Sequence, residues 1–385
     1  MPPDTSPPWP DPLFPAAPYP GSRPGASFVH DGAGSGGLSM PLDADRSAPS
    51  GWRIGDRCLD DRLAERGAAP LAGRVPVLAY GSNACPSKIS WMRAERGLTG
   101  PVVVLRVRVE GLSAVWAAGL RVVDDQRPAT LAAVPGAVEE HAVWLAEPGQ
   151  FAALDAVEGR HTDPPRYRQA RVATGRVTLV DGDGVIDRPY AYVAPAGPPG
   201  DERTDRRPLL VDGAPVPCAS LGQDAARALA GIPGPDGLDV EARDAADGAP
   251  HPDAWPSRVF VYGSLMPGQP AWPLIREHAD PRVLPQPVFL PVGTVSDTGD
   301  GYPALTLDPG GRIPGHDGPG RDGVPGYVVE LADPVAALPA LDAYEGPEYE
   351  RIRVVQQDGA ICWAWLWTAP RDGLTPLPGG WAARR

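Results

Sequence analysis

Two short stretches of the chain, Val77–Tyr80 and Val259–Tyr262, are apolar at every position, and each stops at Gly-Ser. A strand with one wetted face alternates apolar and polar residues, so an unbroken apolar run predicts a strand buried on both faces. Downstream the pattern turns helical. In "DPVAALPALDAYEG" (333–346) Asp333 stands as N-cap, Pro334 at the first helical position and Gly346 just past the end, and Pro339 is expected to split the segment into two short helices. Shorter helices are expected in "GDRCLDDRLAERG" (55–67) and "ASLGQDAARALAG" (219–231). Asp-Gly between strand-like runs predicts hairpins at 177–195 and 354–370. Trp363, Trp365 and Trp367 alternate at strand period and predict one face of a sheet.

These elements recur in order. Gly81 and Gly263 lie 182 apart (263 − 81), and Tyr167 and Tyr349 keep the same offset (349 − 167). Between them, "FAALDAVEG" (151–159) answers "LPALDAYEG" (338–346), with Glu158 and Glu345 187 apart (345 − 158). The insertion "RHTDP" after Glu158 accounts for the difference. A duplicated unit follows. Each copy runs strand, Gly-Ser loop, helix, strands, helix ending in Glu-Gly, hairpin. That order predicts an α+β fold of two tandem, small, mixed β-barrel domains. The expected plan is a disordered Pro/Gly-rich segment (1–50), a first domain (51–196), a linker with one short helix (197–256), a second domain (257–371) and a tail (372–385).

Composition narrows the function. The net charge of −13 opposes binding to a phosphate backbone, which needs a basic face, so no nucleic-acid partner is expected. No apolar run approaches membrane-spanning length, and residues 1–20 lack the basic and apolar regions of a secretory signal. Cys58, Cys85, Cys218 and Cys362 stand far apart and read as reduced thiols of a cytoplasmic protein. The six His have no metal-ligand spacing, and neither a metal nor a cofactor is expected. There is no P-loop, and neither Ser82 nor Ser264 sits in a GxSxG elbow.

The chemistry therefore has to come from the repeated junction. A Gly-Ser bend after a buried strand aims backbone N–H groups outward, which suits a carboxylate or an oxyanion, and Ser264 is placed to cap a helix around "PAWPLIREHA". Glu345 and Glu158 each end a helix, where the macrodipole disfavours an anion. That position, with partial burial, raises a carboxyl toward the working range of a general base. "VYGSL", "GYPAL" (301–305) and "LDAYEGPEYERIRV" together resemble the gamma-glutamylcyclotransferase-like superfamily, which includes the AIG2-like gamma-glutamylamine cyclotransferases. "AYGSN" with "LDAVEG" is similar to the glutathione-pathway branch, although Tyr167-Arg168 replaces the Tyr349-x-Arg351 spacing.

The resemblance implies a pocket for a γ-glutamyl group. It would be lined by Tyr262, Gly263, Ser264, Leu265 and Tyr349 in the second copy, and by Tyr80, Gly81, Ser82 and Asn83 in the first. Glu345 and Glu158 would be the proton acceptors. It also implies release of 5-oxoproline from a small γ-glutamyl amide or peptide. A non-catalytic module holding a carboxylate metabolite, or one active and one structural copy, are the competing readings. The oligomeric state and the amine released are not fixed by the sequence.

Overall fold

The computed structural model describes residues 8–32, 37–46, 48–196, 202–243, 247–307 and 323–384. The N-terminal part is built on one large sheet. Its inner order is Val102–Trp116, Ala129–Ala146, Val75–Ala79, Tyr190–Val193, Arg168–Val172. The C-terminal part repeats that order with Gln286–Leu290, Val324–Glu330, Arg258–Val261, Ile361–Trp367 and Tyr349–Val355. In both, the central strand pairs antiparallel on one side and parallel on the other, at Val77–Tyr190 and at Val259–Trp363.

The unbroken apolar runs are explained by burial on both faces. Leu78 and Tyr80 enter one core cluster while Val75, Val77 and Ala79 enter the opposite one. Val259 and Val261 likewise face away from Phe260 and Tyr262. Trp363 and Trp365 share a face with Val259, and Cys362, Ala364 and Leu366 take the other.

Six α-helices are described: α1 (Leu59–Glu65), α2 (Pro86–Arg96), α3 (Pro148–Glu158), α4 (Gln223–Arg227), α5 (Trp272–Arg276) and α6 (Pro334–Glu345). α1 and α4 lie inside the segments where the sequence predicts them. α6 is one continuous helix with Pro339 inside it, not two. Pro339 forgoes its hydrogen bond to the Val335 carbonyl and crowds that carbonyl with its ring, a cost offset by the burial of Leu338 and Leu341 on the same helix.

Other expectations change. The sheets are open, since neither strand order returns on itself, so the barrels read from the sequence are not formed. The hairpin at 354–370 forms as expected, with Val355 opposite Ile361 and Gly359 at φ 84°. Its counterpart forms only beside its turn, where Leu179 N donates to Gly184 O at 2.8 Å and Ile186 N to Val177 O at 2.9 Å, while Arg176–Leu179 also pairs with Val102–Trp116 and Tyr190–Val193 pairs with Val75–Ala79 and Arg168–Val172. The described residues of 1–50 are ordered. Phe28–Asp31 and Leu38–Pro41 extend the large sheet, and Trp9, Phe14 and Phe28 fill its core. These few large apolar anchors supply burial that average composition conceals. The expected disorder at residues 1–7, 33–36 and 47 lies outside the described residues. So do linker residues 197–201 and 244–246 and the last residue of the tail. Of the remaining linker, Val240–Arg243 adds an edge strand beside Arg168–Val172, and Leu209–Val211 centres a small sheet.

The two parts are tied together through Arg353, whose guanidinium donates to the carbonyls of Leu71, Arg74 and Trp255. Arg351 reaches Asp253 at 2.8 Å.

Candidate functional site

The C-terminal site starts where the central strand ends. Tyr262 is fixed by its hydroxyl, which donates to Trp365 O at 2.6 Å, and by stacking on Phe260. Gly263 follows, and a Cβ there would collide with the ring of Pro303, so only glycine lets that strand close over the loop. Ser264 does not cap a helix. α5 begins after Ala271, whose N–H reaches Ser264 O at 3.0 Å, while the Ser264 hydroxyl meets Tyr344 Oη at 3.2 Å. Among the described residues no backbone carbonyl accepts from the N–H groups of Ser264 or Leu265.

α6 brings the carboxyl. Asp333 Oδ1 accepts from Ala336 N at 3.1 Å and caps the helix, and Gly346 ends it at φ 83°. Glu345 occupies the last helical position, facing a cavity of about 340 Å³. Tyr262, Gly263, Ser264, Leu265 and Tyr349 line the same cavity. All the residues expected for this copy thus meet around one space.

Burial, and then the negative charge of Asp342, push the Glu345 carboxyl up from 4.5 to about 7. Asp342 is itself clamped by Arg351 at 2.8 and 3.0 Å and by Trp365 Nε1 at 2.9 Å. Tyr349 donates to Pro303 O at 2.6 Å, and its ring meets Trp367 edge-on. Sequence reasoning missed Tyr344 and the Asp342–Arg351 pair. Their only signal was adjacency to Glu345 and to Tyr349, which does not tell a wall residue from a surface one.

The N-terminal counterpart uses the same bonds with different surroundings. Tyr80 donates to Tyr192 O, and Tyr167 donates to Ala129 O at 2.7 Å, as Tyr262 and Tyr349 do. Asp155 accepts from Tyr192 Oη at 2.7 Å, in the role Asp342 plays for Trp365. Glu158 ends α3 before Gly159, at φ 63°, and accepts from Asn83 Nδ2 at 2.7 Å. Ser82 opens a single helical turn, and Cys85, not Ser82, precedes α2. Burial raises the Glu158 carboxyl, against the Asn83 hydrogen bond and the charges of Lys88, Arg166 and Arg206. Burial likewise brings Lys88 down to about 8.

Two contributors come from segments expected to be unstructured. The Tyr19 hydroxyl, which accepts from Ala129 N, lies where a Cβ on Gly81 would meet it at 2.6 Å. Arg206 stacks over Tyr167 at 5.8 Å.

Residues 259–383 match the family "Gamma-glutamyl cyclotransferase, AIG2-like", so the C-terminal part carries one such domain. No curated protein matches the chain. Among solved structures, an uncharacterised protein of Pyrococcus horikoshii is 15% identical over 32% of this chain and 87% of its own, with a TM-score of 0.24. A uropathogenic E. coli-specific protein is 16% identical over 31% of this chain and 87% of its own, with a TM-score of 0.25. Allophanate hydrolase of Kluyveromyces lactis is 12% identical over 67% of this chain and 32% of its own, with a TM-score of 0.25.

Proposed function

We propose that the C-terminal site cyclises a γ-glutamyl amide or peptide to 5-oxoproline and releases an amine, with Glu345 as general base and then general acid. The observation that carries the reading is the Glu345 carboxyl, raised to about 7, in the same cavity as the Gly263–Leu265 loop. The substrate brings its own nucleophile, the α-amine. Glu345 takes a proton from the ammonium, and the freed nitrogen attacks the γ-carbonyl carbon. The oxygen of the tetrahedral intermediate is held by the N–H groups of Ser264 and Leu265. The C–N bond to the leaving amine then breaks as Glu345 returns that proton to it, and the carboxylate so regenerated carries the second proton from the ring nitrogen to the amine, which departs as an ammonium. Holding the γ-glutamyl chain bent is the larger part of the catalysis, since ring closure needs proximity more than activation.

The test is 5-oxoproline release from a panel of γ-glutamyl amines and dipeptides by the parent and by Glu345→Gln. Release by the parent, lowered about 10²–10⁴-fold in the variant, is expected for loss of a general acid–base group. Equal turnover would overturn the assignment.

We further infer that the N-terminal part is a divergent copy of the same unit. The shared strand order and the paired Tyr80/Tyr262 and Tyr167/Tyr349 hydrogen bonds support this. Turnover is assigned to the C-terminal copy, because Glu158 is held by Asn83 and Tyr19 lies on Gly81. Glu158→Gln is therefore expected to leave 5-oxoproline release within about twofold of the parent, well under the tenfold that 1.36 kcal/mol of barrier makes.

A further inference from the structure

The cavity at Glu345 has carboxylates in its lining and no base. Glu345 and Glu348 face it, and among the described residues no Lys, Arg or His does. Arg351, which clamps Asp342, is already held between Asp342 and Asp253 at 2.8 Å each. Catalysis as proposed uses Glu345 and leaves Glu348 without a task.

Glu348 stands at the exposed mouth of the cavity. Its backbone is fixed, since its carbonyl accepts from Thr368 N at 2.8 Å and from Thr368 Oγ1 at 3.0 Å. Its Oε2 lies back against the end of α6, 3.2 Å from where a Cβ on Gly346 would stand. Burial first, and then the charge of Glu345, push the Tyr349 hydroxyl above its usual range, and Glu348 is among the smaller contributors. Its charge therefore acts on the inside of the cavity as well as on solvent. Among the described residues no base forms a salt bridge with it.

Two rings share this rim. Tyr302 is 37% exposed and Tyr344 44% exposed, yet both are held. Tyr302 meets the ring of Trp367 at 6.1 Å, and Tyr344 Oη meets Ser264 Oγ at 3.2 Å. Aromatic faces beside an unpaired carboxylate attract a cation and repel an anion. The γ-glutamyl half of a substrate is occupied with Glu345 and the loop N–H groups, so the rim is left for the amine to be released.

We propose that this amine carries a second, positively charged amino group, received by Glu348 and the rings of Tyr302 and Tyr344. Glu348 is then a specificity-determining residue. The substrate class is γ-glutamyl diamines or polyamines, in preference to γ-glutamyl amino acids, whose carboxylate would face Glu348. The inference rests on the γ-glutamyl reading of the site.

The test compares three amides of similar length: γ-glutamyl-1,5-diaminopentane, γ-glutamylpentylamine and γ-glutamyl-6-aminohexanoate. From the cationic to the neutral amide, kcat/KM for 5-oxoproline release is expected to fall about fivefold, mostly through KM, and to fall again for the carboxylate. Glu348→Gln is expected to shrink the cationic-to-neutral ratio to about twofold, which the rings alone supply. Glu348→Lys is expected to turn the preference toward the aminohexanoate. The position is exposed, so both variants should fold, as near-UV circular dichroism will check. The matching N-glutaryl amides lack the α-amine and cannot cyclise, so calorimetry reads the same preference as binding. If no amide yields 5-oxoproline, the γ-glutamyl reading fails, and the glutaryl amides still decide the charge preference. Equal kcat/KM for the three amides, equal binding of the glutaryl amides, or a ratio indifferent to Glu348→Gln would overturn the inference and leave the cyclisation itself standing.

Discussion

Glu345 is stabilised as a neutral acid by its surroundings, and this has consequences for activity and for stability. In the proposed role of base it would work only when ionised, so kcat/KM for 5-oxoproline release is expected to rise with pH and level off above about 7. Asp342→Asn removes the second cause of the shift and is expected to move that limb to lower pH, as a pH–rate profile will register. For stability the folded value lies above the ordinary 4.5. The contribution of the protonated form is therefore present below 4.5 and is lost as pH rises through about 7. Glu345→Gln stays neutral throughout, so it should gain on the parent above pH 7, by on the order of 1–3 kcal/mol, and match it near pH 4 in denaturant titrations. A variant no more stable than the parent at pH 8 would mean that the carboxyl is not buried as described. Gly263→Ala is expected to abolish 5-oxoproline release while the fold survives, since the added methyl meets the Pro303 ring and must displace either the loop or its neighbour strand. Near-UV circular dichroism and the product assay together separate those outcomes.

At the scale of elements, α6 is the part that aims the site, and its Asp333 cap holds the first turn. Asp333→Ala is expected to lower stability by about 1 kcal/mol, the usual worth of such a cap, and to shift the thermal midpoint accordingly. An unchanged midpoint would mean that tertiary contacts alone hold the helix. This cap, the Gly346 terminus and the double-faced strand at Val259–Val261 were all legible in the sequence, because each is a local rule with a fixed residue type. The hairpin at 354–370 was legible for the same reason. The matching hairpin at 177–195 was legible only at its turn, because partner choice is a long-range matter: Val177 also finds Val109, and Tyr190–Val193 finds Val75–Ala79 and Arg168–Val172. Tyr19 and Arg206 were illegible altogether, being single residues in Pro-rich and charged surroundings whose positions depend on a sheet built elsewhere. Open sheets in place of barrels follow the same logic, since strand order does not encode whether the edges meet. In the C-terminal sheet the Tyr349–Val355 edge instead spends its outward Arg353 on carbonyls of the other part.

For the whole molecule, the stretch between the two parts is a structural member of the C-terminal one. Trp255 stacks on Arg353 at 4.8 Å, Pro256 O accepts from Trp363 Nε1 at 2.9 Å, and Asp253 pairs with Arg351 at 2.8 Å. Arg351 in turn clamps Asp342, the charge that acts on Glu345. Cutting the chain before this stretch or after it therefore gives different proteins. A fragment of residues 251–385 keeps Asp253, Trp255 and Pro256 and loses the Leu71 and Arg74 carbonyls. A fragment of 257–385 loses all of these and leaves Arg353 with no described acceptor. Each cut removes acceptors of Arg353 and opens its edge strand to water, so the stability order is expected to be full chain, then 251–385, then 257–385. Amide exchange should be fastest along Tyr349–Val355 in the shortest fragment. The pH limb of any remaining activity should differ between the two fragments as well, because without Asp253 the Arg351 clamp on Asp342 loosens. If 257–385 matches the full chain in exchange and in pH profile, the C-terminal domain is self-sufficient. The coupling through Arg351 and Arg353 would then carry no weight in how the site works.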